Sequence, residues 1–164
     1  MSERHQDEAV PGLGRNRDNP NPVRIEAETE LIATRPDVWA LLAEPQHLAD
    51  WWPAYASIRP DRRGLAEGAR WQVVRGGSIG LLRRPESTGT LVITAVEPEH
   101  RLAWHDVQQR FTAVLLLEPA GDGMTRATLT VDSPGFRAVF EGLRPLPRQA
   151  LARLRALCQT AATL

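Results

Sequence analysis

Lysine is absent from this chain: all 20 basic residues are arginine, and 20 acidic residues balance them to a formal net charge of zero. A balanced chain lacks the basic field that general nucleic-acid binding or attraction to an anionic membrane requires. The missing lysine reads as the codon bias of a GC-rich genome. Arginine in its place matters chemically only where a planar, bidentate contact is made. Cysteine is reduced to Cys158, which excludes an internal disulfide and suits a reducing compartment. No apolar run approaches the roughly 20 residues that cross a bilayer. The first residues carry no apolar core of a secretion signal. A cytoplasmic location without membrane insertion is expected.

Signatures of cofactor chemistry are missing too. His47, His100 and His105 are scattered, with no ligand spacing to cysteine or carboxylate. "RGGSIG" lacks the lysine and the strand–helix setting of a phosphate loop. "DSPGF" carries a serine without the strained elbow of a hydrolase. No metal and no cofactor is expected. Cys158 falls on an apolar helical stripe and reads as core.

Aromatic residues are few: five Trp, three Phe and one Tyr. "HLADWWPAY", residues 47–55, nonetheless holds Trp51, Trp52 and the sole tyrosine, Tyr55. Successive side chains diverge on any regular helix or strand. Either one of these tryptophans is exposed, or the segment is covered on two sides.

The 164 residues, 42 % hydrophobic, suffice for one domain with a real core. Residues 1–22 are polar and rich in Pro, Gly and Asn, and read as a disordered tail. From Val23 the chain alternates: Val23, Ile25, Ala27, Thr29 and Leu31 on one face, Arg24, Glu26, Glu28 and Glu30 on the other. That is a half-buried strand. In "TRPDVWALLAEPQHLADWWP", Thr34 can cap, Pro36 suits a first turn and Asp37 meets the positive helix end. Val38, Trp39, Leu42 and Ala43 form its inward stripe. Pro45 splits the stretch into two short helices. Strand patterns follow at 56–63, 69–76, 88–98, 101–107, 110–119 and 125–133, separated by turn signals such as the Asp-Gly of "AGDGM". Residues 76–87 read equally as a hairpin extension or a loop. "GFRAVFEGL" allows a short helix. From Pro147, Leu151, Leu154, Cys158 and Ala161 make one helical stripe, flanked by Ala150 and Leu157.

The order is strand, two short helices, antiparallel strands, long helix. This predicts an α+β fold: a curved antiparallel sheet of about six or seven strands gripping a long C-terminal helix. A concave apolar space between them is where a small ligand would bind.

"PDVWALLAEPQHLADWWPAY", "GTLVITAVEPEHRLAW", "LLLEPAGDGMTRATLTV" and the closing helix resemble the START-like, helix-grip superfamily, in its polyketide cyclase/dehydrase-like branch. The resemblance runs from Val23 to Ala161. It is specific for fold and weakly specific for function, since such relatives include lipid carriers, receptors, cyclases and chaperone activators. It implies one domain over 23–164 with a deep apolar cavity between sheet and helix. Val38, Trp39 and Leu42 would seat the first helix. Trp51 would be structural, and Trp52, Pro53 and Tyr55 would stand near the cavity mouth. The Pro145/Pro147 break departs from the uninterrupted final helix that the resemblance implies.

Within "WHD", Trp104 and Asp106 share one strand face and His105 takes the other. Asp106 would be a buried carboxylate suited to acid–base work, or a solvated strand end. In "ARWQVVRG", Trp71, Val73 and Arg75 alternate together. An inward Arg75 needs a partner, either Asp106 or an acidic group on a ligand. Residues 59–84 hold seven Arg against Asp61 and Glu67, a solvated face or a rim favouring an acidic ligand. Phe136 and Phe140, four apart, serve as core or as a gate. The expected ligand-facing set is Trp52, Tyr55, Trp71, Val73, Arg75, Leu91, Ile93, Trp104, Asp106, Phe136 and Phe140. Asp106, His105 and Arg75 are the catalytic candidates.

Three functions follow. The first is binding or carriage of a small apolar molecule by a monomer or homodimer. The second is a cyclase or dehydratase, with Asp106 or His105 moving protons and Arg75 steadying an enolate. The third is a protein-interaction module using the two-helix face. A closed apolar cavity with no polar pair favours the first. Convergence of Asp106 and Arg75 favours the second, and an exposed patch of Trp52 and Tyr55 over a filled core favours the third.

Overall fold

The alternation that begins at Val23 becomes β1, Val23–Leu31, in which odd-numbered residues turn inward and Arg24, Glu26, Glu28 and Glu30 stay exposed. The computed structural model describes residues 22–76, 78–79, 82–83, 87–135 and 142–161, without the side chains of 77–86 and Ala161. The expectations for the tail, for "GFRAVFEGL" and for Phe136 and Phe140 lie outside the described residues.

Helix α1, Arg35–Ala43, starts where the sequence places it. Thr34 Oγ1 caps the Asp37 amide, and Val38 and Leu42 are its buried residues. A 3-10 turn at Pro45–His47 leads into the single turn of α2, Leu48–Trp51. The Trp51–Trp52 puzzle is solved here. Trp51 ends α2, and Trp52 has already turned to extended backbone at φ −88° and ψ 108°. The two rings therefore belong to different local geometries, and both turn inward. They meet edge to face at 6.1 Å, at 1 % and 0 % exposure.

The strands that follow are β2 (Ser57–Arg59), β3 (Arg70–Arg75), β4 (Ser78–Ile79), β5 (Leu82–Arg83), β6 (Ser87–Glu97), β7 (Arg101–Asp106), β8 (Phe111–Gly121) and β9 (Met124–Ser133). One seven-stranded sheet runs in the order β1-β9-β8-β7-β6-β3-β2, and β4 pairs with β5 in a separate hairpin. Every pairing is antiparallel. Within 76–87 the described residues thus form a two-stranded pair of their own. Asp61 closes the loop before β3 by accepting from the Arg63 and Arg70 amides, both at 2.9 Å. These backbone donors, the Arg70 amide foremost, hold its carboxyl below the usual range. Gly123, at φ +71°, supplies the left-handed residue of the β8–β9 turn.

The closing helix α3 spans Leu146–Ala161. Pro145 precedes it and Pro147 lies in its first turn, where a missing N–H costs nothing. The two prolines mark the start of this helix. Ala150, Leu151, Leu154 and Cys158 are its buried stripe, as the spacing requires. It packs on β1, β9 and α2. The result is an α+β, helix-grip-like architecture.

Burial, helped by the Asp37 charge, pushes the Cys158 thiol up to about 11. The thiolate is the reactive form, so Cys158 is expected to react with a disulfide reagent at neutral pH only at the rate of unfolding. Stoichiometric labelling of the native protein within minutes would contradict the packing of α3.

Candidate functional site

The inner face of the sheet is a lattice of rows set by register. Trp71 pairs with Leu91, Leu91 with Asp106, and Asp106 with Phe111. In the next row Ile93 pairs with Trp104 and Trp104 with Ala113. Asp106 is therefore the one charged member of an apolar row, and it is 0 % exposed. Isolated, such a group would be very costly.

It is not isolated. Arg75 ends β3 on the same face and reaches Asp106 with Nη2, which contacts both carboxylate oxygens. The Tyr55 hydroxyl donates to Asp106 Oδ2 at 2.8 Å. The Gln109 amide, in the turn after β7, donates to Oδ1 at 2.9 Å. The guanidinium also lies over the Tyr55 ring, 5.9 Å from its centroid. Three elements distant in sequence thus supply one network: the link after α2, the end of β3 and the end of β7.

Gly89 makes the Arg75 approach possible. It lies on β6, between β3 and β7, and pairs with Val73. A Cβ there would overlap both terminal nitrogens of Arg75 and stand 2.8 Å from Gln108 Oε1. Gln108 is itself anchored by accepting from the Thr90 amide at 2.7 Å. Glycine here is a gap through which a side chain passes.

Aromatic rings wall the network. Trp52 stacks on Phe111 at 5.7 Å and meets Trp104 edge to face at 5.0 Å. Trp51 meets Trp104 at 5.9 Å, and Trp71 donates its indole N–H to the Gly64 carbonyl at 2.9 Å. Burial pushes the Tyr55 phenol well above its usual range. The Asp106 charge and the Tyr55–Asp106 hydrogen bond act in the same direction, and Arg75 offsets only part.

The sequence-derived set is largely brought together. Trp52, Tyr55, Trp71, Val73, Leu91, Ile93, Trp104 and Asp106 are all buried at 3 % exposure or less, and the Arg75 side chain retains 12 %. Trp52 and Tyr55 do not stand at a rim. The turn at Trp52 carries both inside, and Pro53 alone of the three is half-buried. His105 points to the opposite face, with Nδ1 3.2 Å from Thr112 Oγ1, and is apart from Arg75 and Asp106. Arg59, Arg62, Arg63 and Arg70 are exposed, a solvated face. Sequence reading missed Gly89, the Gln109 amide and Phe111. Only Phe111 had a signal, the alternation Phe111, Ala113, Leu115, Leu117 on β8.

Two clefts lie elsewhere. One, of about 460 Å³, runs between β1 and α3 past Ala27, Thr29, Leu151 and Ala152, with Arg148 and Arg155 at its side. The other, of about 470 Å³, lies on the outer sheet face near His100 and Arg101. Neither is lined by Tyr55, Arg75 or Asp106. Among the described residues no cluster of His, Cys, Asp or Glu could hold a metal. No described helix is long and apolar enough to cross a membrane.

Residues 22–159 match the model of a family described as polyketide cyclase / dehydrase and lipid transport. No curated protein sequence gives a significant match. Among solved structures, the chain is similar to protein NE0264 from Nitrosomonas europaea, at 22 % identity and TM-score 0.67, over 86 % of this chain and 97 % of that one. It is similar to protein Ms6760 from Mycobacterium smegmatis at 21 % identity and TM-score 0.64, over 93 % and 99 %. It also resembles the di-domain ARO/CYC StfQ from the steffimycin biosynthetic pathway, at 12 % identity and TM-score 0.65, covering 87 % of this chain and 52 % of that one. At these identities the structural likenesses establish fold.

Two outcomes test the network. Gly89→Ala is expected to destabilise the protein by about 1–3 kcal/mol in urea titrations, the cost of overpacking a site where the guanidinium must move aside for the methyl group. Added to Arg75→Ala, it should cost little more, because the side chain it obstructs is gone. Full additivity would dissociate Gly89 from Arg75. Tyr55 is the chain's one tyrosine, so tyrosinate absorbance reports it alone. Its folded pKa is raised, so its contribution to stability is complete below the unfolded value of about 10 and is lost as pH climbs above it. The tyrosinate signal should therefore appear together with alkaline unfolding. Ionisation near pH 10 with the fold intact would contradict the burial described.

Proposed function

This chain belongs to the polyketide cyclase / dehydrase and lipid transport family, and on that premise we propose that it binds or carries a small, largely apolar molecule against the concave face of its sheet, beside the Tyr55–Asp106–Arg75 network. One observation carries this reading. A buried ion pair contributes little to stability compared with apolar residues of the same volume. A fully buried Asp106, paired with Arg75 and walled by tryptophans, supports a polar centre kept for a ligand beside its part in holding the sheet to the short helical segment. Arg75, which keeps contact with solvent, marks the side on which a ligand would approach. Aromatic walls with a few fixed polar groups are the usual make-up of a small-molecule site.

The second reading is an enzyme of cyclase or dehydratase type using the same site. The meeting of Asp106 with Arg75 favours it. Arg75 would steady an enolate, and the Tyr55–Asp106 pair would handle the proton. It ranks second because Asp106 already receives Tyr55, Arg75 and Gln109. Burial also holds the Tyr55 proton firmly. The interaction-module reading loses its support, since Trp52 and Tyr55 offer no exposed patch.

Native mass spectrometry of freshly purified protein is expected to show a discrete excess mass that disappears on denaturation, and Arg75→Ala is expected to lose it. No excess mass, combined with no thermal shift on adding aromatic or acyl compounds, would sink the carrier reading.

A further inference from the structure

The two edges of the sheet are built differently. At one end β2 has three residues and is stopped by Pro60. A short edge beside a proline offers little backbone for another strand to pair with. At the other end β1 runs nine residues without a proline, and its register with β9 holds from Val23 to Leu31 with no bulge. Among the described residues no strand pairs with its outer edge. A long, regular, unpaired edge is a template for a further strand.

Cover over this edge is incomplete as well. The inward residues Phe111, Ala113, Leu115 and Leu117 of β8 and Ala127, Leu129 and Val131 of β9 are buried. Val23, Ile25, Ala27 and Thr29 of β1, which also face inward, are only half-buried. Helix α3 packs over β1, yet a cleft of about 460 Å³ remains between them, with Ala27, Leu151, Ala152 and Ala156 in its lining. Ala152 and Ala156 are exposed there. A strand laid along β1 would bring its own inward side chains to this cleft.

Charge selects the occupant. The outward face of β1 reads Arg24, Glu26, Glu28, Glu30. A second copy of β1, pairing antiparallel about a twofold axis, meets the same residues in reverse order. Like charges directly opposite each other are destabilising. A pairing centred on Ala27 sets Glu26 against Glu28. Centring on Glu26 or Glu28 sets that glutamate against itself, and centring on Arg24 sets two arginines together. Centring on Ile25 sets Arg24 against Glu26 on both sides of the axis and makes no like pair. The same register sets Ile25 against Ile25 and the second copy's Val23 against Ala27, at the cleft. Arg24 engages Asp132 through Nε, and its guanidinium carries further N–H groups for a second carboxylate.

We infer that the β1 edge is a homodimer interface: two copies pair antiparallel about Ile25, join their sheets edge to edge, and exchange Arg24–Glu26 ion pairs. This surface is remote from the Asp106 network, and the inference stands apart from the small-molecule reading.

Sedimentation velocity on the full chain reads the association. Wild type is expected to pass from monomer to dimer between about 1 and 100 µM, the range of a small strand-edge interface. Arg24→Glu and Glu26→Arg should each weaken the dimer at least about tenfold, since each turns two attractive cross-strand pairs into repulsive ones. An equimolar mixture of the two variants should dimerise again, because every Glu then faces an Arg. Both positions are on the exposed face, where an ion pair contributes little to stability, so the variants should keep the wild-type melting temperature within a few degrees.

Stronger dimerisation by Glu26→Arg alone would overturn this register in favour of one centred on Ala27. Dimers that ignore both substitutions would place the interface elsewhere. A monomer at every concentration would overturn the inference. Protection of all β1 amides from hydrogen exchange in that monomer would then assign the edge to the chain's own residues 1–21. The wild-type sedimentation and exchange decide even where a variant fails to fold.

Discussion

A carboxylate removed completely from water needs a cation and hydrogen-bond donors around it, and Asp106 draws on residues from three separated parts of the chain to obtain them. Arg75 comes from the end of β3, Tyr55 from the link after α2, and the Gln109 amide from the turn that follows β7. This requirement ties the sheet to the short helical segment more specifically than apolar contact alone. Apolar packing tolerates sliding and repacking. A carboxylate with its partners around it in fixed directions does not.

Much of the surrounding geometry serves that contact. Gly89 is bare because a guanidinium passes over it. Gln108 is pinned to the Thr90 amide beside that passage. The chain leaves helical geometry at Trp52, and so brings a second indole and then Tyr55 inward within a few residues. Phe111 and Trp104 complete the wall. Low local polarity strengthens every hydrogen bond in the network and raises the cost of any donor left over. The same environment holds Asp106 and Arg75 together.

Local chemistry in the sequence was enough for most of the elements, though not for 76–87, and it overran β2, which is only Ser57–Arg59. Alternation in "VRIEAETEL", the Thr34 cap, the break at Pro45 and the stripe Leu151, Leu154, Cys158 are all short-range patterns, and each became the expected strand, helix or buried face. Period-two alternation also placed Trp71, Val73 and Arg75 on one face, and Trp104 with Asp106 on one face, because the pleat allows nothing else. The inward face of the candidate site was legible for that reason. His105 was legible as facing away for the same reason.

Tertiary structure decided what depends on register and on the path between elements. That Arg75 meets Asp106 follows from β6 lying between β3 and β7, with a glycine at the crossing point. No local pattern encodes a gap that only a neighbour's side chain fills. That Trp51 and Trp52 are both buried follows from a helix ending between them, where the alternation rule for regular elements no longer holds. The sequence by itself determined which residues each strand and helix turns inward, since that is a matter of backbone period. The tertiary structure decided which of those inward residues touch, since contact across strands depends on pairings whose partners lie far apart in the chain.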